Sequence, residues 1–298
     1  MEVKKENNIA NRIDKKVKII ECPRDAMQGI HEFIPSDIKA TYINQLLKVG
    51  YDTIDFGSFV SPKAIPQMRD TSEVLSKLDL GSSVSKLLAI IANARGAEDA
   101  VKHDEITYLG YPFSISETFQ LRNTNATIEE SLTRVDEIQN IAYKNNKKLV
   151  IYISMGFGNP YGDIWSVDIC QQWVDKLADM DIKIMALSDT IGIATPQSIS
   201  YLFKYLIPPY PDVEFGAHLH TQPHNWLPKL DAAYQSGCRR FDSAIKGFGG
   251  CPMAKDDLTG NMATENILQY FDDKNITHNL KKQEFNKAMK MSGAVFSF

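Results

Sequence analysis

Val213-Glu-Phe-Gly-Ala-His218-Leu-His220 is the stretch that decides the fold. It reads as a β-strand bounded by the turn residues Pro211 and Asp212, and it ends on two histidines two positions apart. Successive side chains of a strand point to opposite faces, so His218 and His220 aim both imidazoles the same way. Upstream, strand candidates begin at Val17-Lys-Ile-Ile, Tyr51-Asp-Thr-Ile-Asp-Phe, Leu87-Leu-Ala-Ile-Ile-Ala, Glu105-Ile-Thr-Tyr-Leu, Leu149-Val-Ile-Tyr-Ile and Ile182-Lys-Ile-Met-Ala-Leu. Downstream, Arg240-Phe-Asp-Ser-Ala-Ile completes the set. Helical patterns lie between them. Ser36 stands as the N-cap of one, Ile38, Tyr42, Ile43, Leu46 and Leu47 form its apolar stripe, and Gly50 closes it. Thr127 opens another that runs through Ile128, Leu132, Val135 and Ile138 to an Asn145-Asn146 stop, and a third spans Trp165 to Met180. Strand–helix alternation in 298 residues, with no Pro/Gly/Ser-rich linker, predicts an α/β chain. The expected architecture is a single (β/α)8 TIM barrel over residues 17–298, with a short polar arm at 1–16 and a C-terminal helical extension.

Composition sets bounds. With 43% hydrophobic residues the chain can bury a substantial core, and a formal net charge of −4 gives no argument for a nucleic-acid partner. No apolar run approaches the roughly 20 residues that span a bilayer, so no membrane partner is expected. Residues 1–16 mix Glu2, Glu6 and Asp14 with lysines, unlike a signal or transit peptide, and a cytoplasmic protein is the expectation. Cys22, Cys170, Cys238 and Cys251 lack zinc-type spacing and read as reduced thiols.

A closed barrel brings the ends of all its strands to one rim, where residues far apart in sequence can share a site. His218 and His220 end the seventh strand as a metal-ligand pair, although one His packing and the other bonding a carbonyl gives the same spacing. Two imidazoles joined by a carboxylate and an amide oxygen suit Mg²⁺ or Mn²⁺ better than structural zinc. Arg24-Asp25 follows the first strand; a surface ion pair is the ordinary reading of such a dipeptide. On the rim, Asp25 can instead ligate a metal while Arg24 meets an anionic oxygen. Asp55 and Asp189 end the second and sixth strands, as rim carboxylates or as caps. Gly247-Phe-Gly-Gly-Cys251-Pro reads as a mobile lid carrying a proton-transferring thiol, or as a tight turn around an inert one. Asn261 can place an amide oxygen on the metal or start the last helix.

These motifs appear in a telling order: Arg24-Asp25-x-x-Gln28, Ser58-Phe-Val-Ser-Pro-Lys63 with Pro66-Gln-Met68, and Asp189-Thr-Ile-Gly192 with Thr195-Pro196. Then come His218-x-His220, Gly249-Gly-Cys-Pro252 and Gly260-Asn-x-Ala-Thr-Glu265. Together they resemble the 3-hydroxy-3-methylglutaryl-CoA lyase family of metal-dependent, aldolase-like barrels, from about Val17 to the helix after Glu265. The resemblance implies a divalent-metal centre on Asp25, His218, His220 and Asn261, a catalytic Arg24, a lid Cys251 and active-site carboxylates at Asp55 and Asp189. It also implies an acyl-CoA substrate and is compatible with a homodimer. There are departures. Asp55 stands where the family has a glutamate, Ala26 replaces a glycine, and Glu21-Cys-Pro23 is one residue short. Thr221-Gln222-Pro223-His224 replaces the usual continuation after the second histidine, and Lys255-Asp-Asp-Leu258 a small glycine-containing stretch. The implied reaction is retro-Claisen cleavage of a 3-hydroxyacyl-CoA. A related aldolase or acyl-condensing barrel acting on another hydroxy or oxo acid is the alternative, and a non-catalytic acyl-CoA-binding barrel a further one.

Overall fold

Residues with a two-residue alternation build the sheet. The computed structural model describes residues 16–250 and 259–297. Its parallel strands are β1 (Lys18–Glu21), β2 (Thr53–Ser58), β3 (Lys86–Ile90), β4 (Ile106–Ser114), β5 (Lys148–Ser154), β6 (Ile184–Asp189), β7 (Glu214–Thr221) and β8 (Arg240–Ser243). Each pairs with the next, and β8 pairs with β1 in the register Ile20↔Asp242, so the sheet closes into a barrel. The expected (β/α)8 TIM barrel is the observed fold.

The strand parity separates two apolar layers. Leu88, Ile90, Tyr108, Val150, Tyr152, Ile184 and Ala186 fill the barrel's interior. The residues between them, including Leu87, Ala89, Leu109, Ile151 and Met185, face outward into the larger core under the helices. Each fully buried aliphatic side chain there contributes about 1.5–3 kcal/mol. The interior is crowded enough that Gly110 must be a glycine, since a Cβ there would stand 2.5 Å from Ile90 Cδ1.

The helices are α1 (Pro23–Gln28), α2 (Ser36–Val49), α3 (Thr71–Ser76), α4 (Ala94–Ala100), α5 (Glu117–Thr124), α6 (Ile128–Lys144), α7 (Val167–Asp179), α8 (Pro196–Leu206), α9 (Trp226–Gln235), α10 (Thr264–Asp273) and α11 (Lys282–Val295). Gly50 closes α2 in the left-handed region at φ 92°, as its position after the stripe implies. Thr127 caps α6, reinforced by Glu130 reaching back to its backbone. The N-cap of α2 is Pro35 rather than Ser36. Ser36 is the first helical residue, and its hydroxyl donates to Asp70 Oδ2 at 2.8 Å instead. Strand β4 runs on to Ser114, past Pro112, where a break would be expected. The ring nitrogen of Pro112 faces β3 where the ladder between the two strands stops, its last bond running from Ile91 N to the Gly110 carbonyl at 2.9 Å. The C-terminal α11 packs along α2, where Gln45 Nε2 donates to the Glu284 carbonyl at 3.0 Å. No helix among the described residues is long and apolar enough to cross a membrane.

Candidate active site

Arg24 and Asp25 do not sit in a loop. Pro23 opens α1 directly after β1, its ring suiting the first helical turn. The turn carries both side chains onto the C-terminal rim, where they are buried. Arg24 is held almost completely. Nε donates to Asp55 Oδ1 and Oδ2 at 3.2 and 3.0 Å, and Nη2 to Asp55 Oδ2 at 2.5 Å. Nη1 donates to Asp25 Oδ1 at 3.0 Å and to Gln28 Oε1 at 2.8 Å. A guanidinium has five N–H donors. These bonds engage Nε, both hydrogens of Nη1 and one of Nη2, and the second Nη2 hydrogen remains for a ligand.

Burial would lower the Arg24 pKa, but the Asp55 and Asp25 carboxylates push it above its ordinary value. Burial pushes Asp55 up to about 6 against the pull of Arg24, so the pair is ionic at neutral pH. Asp25 goes the other way. Burial alone would raise it, but Arg24, His218 and the Asn261 amide outweigh burial and hold it below the usual carboxylate range.

His218 and His220 leave β7 on the inner face, with ring centroids 5.4 Å apart. Ligand atoms of Asp25, His218 and His220 lie within 4.8 Å of one another. That spacing suits one cation with bonds of roughly 2–2.5 Å. The charges suit it too: Asp25 is ionised, and burial together with the charge of His218 lowers His220 to about 3, so His220 is neutral. Burial would also lower His218, but the hydrogen bond and charge of Asp242 raise it above its ordinary value. Asn261 does not start a helix. It forms β9 (Gly260–Asn261), antiparallel to β7 with Asn261 opposite His220. Its Nδ2 donates to Asp25 Oδ2 at 2.7 Å and to the Phe248 carbonyl at 2.9 Å. To present Oδ1 to a cation the amide must turn over. The cluster, with a carboxylate, two imidazoles and an amide in reach, is a possible metal site.

The glycines after β8 serve packing as well as freedom. A Cβ on Gly249 would stand 2.7 Å from Asn261 Nδ2 and 2.8 Å from the Asp25 carbonyl, so the loop base closes directly on the ligand cluster. Cys251 lies outside the described residues.

Above the cluster opens a cavity of about 440 Å³. Arg24, Asp25, Gln28, His218 and His220 line it on the polar side, and apolar residues such as Val60, Pro112 and Phe119 on the other. Asp55 reaches the site only through Arg24. Asp189 sits away from the cavity and binds Lys229 at 2.7 Å, while its other oxygen accepts from Ala194 N at 2.9 Å. Lys229 also donates to the Gly192 and His220 carbonyls, both at 2.9 Å, and so ties the β6 loop to the end of β7. Nothing in the sequence pattern of α9 marks Lys229, since a lysine on a helix is ordinarily solvated. Lys229→Met should lower the free energy of unfolding by about 3–5 kcal/mol, because it strands the Asp189 carboxylate in the interior. Urea unfolding measures this; unchanged stability would mean that the pair carries no net charge interaction.

The fold and the sequence both have counterparts among known proteins. The HMGL-like family model matches residues 16–291. Hydroxymethylglutaryl-CoA lyase YngG of Bacillus subtilis (strain 168) is 33% identical over 277 residues, 93% of this chain and 92% of its own length. The crystal structure of the Bacillus subtilis HMG-CoA lyase superposes with a TM-score of 0.88 at 32% identity, covering 95% of this chain and 94% of that one. An HMG-CoA lyase from Acinetobacter baumannii, solved in complex with coenzyme A and 3-methylmalate, gives a TM-score of 0.87 at 28% identity over 94% of this chain and 91% of its own. The chain belongs to the HMGL-like family, as an HMG-CoA lyase-like lyase.

Proposed function

We propose that this protein is a metal-dependent carbon–carbon lyase that cleaves 3-hydroxy-3-methylglutaryl-CoA, or a close 3-hydroxyacyl-CoA, with residues 17–298 as its catalytic barrel. The products from the named substrate are acetyl-CoA and acetoacetate. The observation that carries the reading is the convergence of Asp25, His218 and His220 beside the Arg24 guanidinium on the wall of the cavity. An acyl-CoA ligand is supported by the coenzyme A complex of the similar Acinetobacter baumannii lyase and by a cavity within the usual range of small-molecule sites.

Asp25, His218, His220 and a turned Asn261 would hold Mg²⁺ or Mn²⁺. When bound, such a cation polarises the acyl oxygen and lowers the pKa of the C3 hydroxyl. A carboxylate oxygen of Asp25 not engaged by the cation would take the hydroxyl proton. The electron pair left on that oxygen forms the ketone, the C2–C3 bond breaks, and its electrons pass to the thioester as an enolate. Arg24, fixed by Asp55, turns its remaining Nη2 hydrogen to the enolate oxygen, a placement that needs no reorganisation during reaction. The enolate carbon then takes a proton, the role the family resemblance gives to Cys251. Asp189 acts through Lys229, setting the position of His220.

Metal analysis combined with an acetyl-CoA release assay on 3-hydroxy-3-methylglutaryl-CoA tests the reading. The expected result is release that requires Mg²⁺ or Mn²⁺ and stops on chelation. Bound metal with no release from this substrate would favour a related hydroxy- or oxo-acid reaction; neither metal nor release would leave a binding barrel.

A further inference from the structure

Asp242 belongs to none of the motifs that identify the family site. It lies on β8 directly across the ladder from His218, and its side chain is fully enclosed in the barrel. Its Oδ2 is 3.2 Å from His218 Nδ1. We propose that Asp242 is a positioning residue, whose carboxylate takes the Nδ1–H of His218 and thereby fixes the tautomer that turns the Nε2 lone pair towards Asp25 and His220.

The chemistry allows only one direction for this bond. An ionised carboxylate is acceptor-only, so the imidazole nitrogen facing it must carry the hydrogen, and the other nitrogen keeps its lone pair. A neutral ring free to choose would divide between two tautomers, only one of which can ligate. The interior supplies the countercharge. Arg240, two residues earlier on β8 and pointing to the same inner face, is fully buried, and the charge of Asp242 is the strongest of those raising its pKa. Arg240 in turn is anchored by Glu214, 3.3 Å from Nη1, which also binds Lys18. A column of alternating charge thus runs from Lys18 near the start of β1 to His218 at the rim. Gly216 leaves room for it, because a Cβ there would stand 3.0 Å from Arg240 Cδ.

A competing reading of the same atoms exists. Donor atoms of Cys22, His218 and Asp242 also lie within 4.8 Å of one another, as an inner metal site would require. Such a site would have to take Nδ1 away from Asp242 and would sit sealed beneath the His218 ring. His218 Nδ1 is already engaged by Asp242 Oδ2 at 3.2 Å, and the Asp242 side chain is fully enclosed. Asp242 therefore orients His218 rather than ligating a cation. His220 has a weaker version of the same arrangement, with the Thr190 backbone as its partner.

The consequence for affinity rests on the proposed metal reading, whereas the tautomer does not, and the experiment separates them. Histidine ¹⁵N–¹H correlation spectra of the metal-free full chain at pH 8.5, with His218 assigned by His218→Gln, should show His218 as the pure Nδ1–H form. Asp242→Asn, checked for fold by circular dichroism, should lose that single form and bind Mn²⁺ about 10–100-fold more weakly by calorimetry. Cys22→Ala should bind Mn²⁺ within about twofold of the parent, as expected of a residue outside both metal shells. An Nε2–H form of His218 in the unsubstituted protein overturns the inference, even where Asp242→Asn fails to fold. So does unchanged Mn²⁺ affinity in Asp242→Asn, or a large loss in Cys22→Ala. The Nδ1–H form in a protein that binds no Mn²⁺ would uphold the positioning role and overturn the metal reading instead.

Discussion

Asp25→Asn is expected to keep the barrel folded while lowering metal-dependent turnover about 1,000-fold, since several kcal/mol of charge stabilisation leave with the cation and roughly 1.4 kcal/mol is tenfold. The substitution keeps the shape of the side chain and changes its charge. Arg24 retains its two-pronged contact with Asp55 and its bond to Gln28, so the guanidinium is not stranded. Arg24 Nη1 and Gln28 Nε2, which share Asp25 Oδ1, can still donate to an amide oxygen there, and the Asn261 amide, now donating to Oδ2 at 2.7 Å, turns over to accept from the new NH2 group. The fold near β1 therefore has little reason to yield. The cation does, because Asp25 is the sole carboxylate grouped with His218 and His220 among the described residues. Calorimetric titration with Mn²⁺, set beside the thermal unfolding midpoint, separates the two effects. Native turnover in a variant that no longer binds Mn²⁺ would remove the metal from the reaction, and unchanged Mn²⁺ affinity would remove Asp25 from the ligand set.

What the sequence discloses here depends on periodicity. His218-x-His220 is legible because a strand repeats every two residues, and one spacing fixes two directions at once. The same parity places Arg240 and Asp242 on the inner face, yet both read as ordinary residues of a short strand, since their partners Glu214 and His218 belong to β7. Pairing across a ladder is not visible in one strand alone. Lys229 escapes notice for a similar reason: its meaning comes from Asp189 and the His220 carbonyl, which the chain reaches only after closure. Asn261 was legible as a type and not as a placement. A two-residue antiparallel strand after a loop has no periodicity to detect, and only its pairing with His220 and Thr221 defines it. The glycines at 247 and 249 carry the reverse lesson. Read alone they suggest mobility; in the fold, neighbouring backbone within 2.9 Å of a Cβ on either explains why nothing larger fits.

Arg24→Lys should reduce kcat about 100- to 1,000-fold, the cost of removing one donor aimed at a developing oxyanion, and leave KM within about threefold. The charge survives the change, so any loss has to come from geometry. A lysine ammonium is a point donor without the planar fork that grips Asp55 at 3.0 and 2.5 Å. It would be drawn to one carboxylate, Asp55 or Asp25, and could not hold both while offering a further hydrogen to the enolate. A pH signature follows. With Arg24 in place burial brings Asp55 to about 6, so the native enzyme should lose kcat/KM as pH falls through that value, when Asp55 takes a proton and releases its grip. Lysine stabilises the carboxylate less well, so the acid limb of the variant should move to higher pH. A variant with native kcat, a raised KM and an unmoved acid limb would place Arg24 in ground-state binding, and would leave the enolate oxygen to be stabilised by the cation alone.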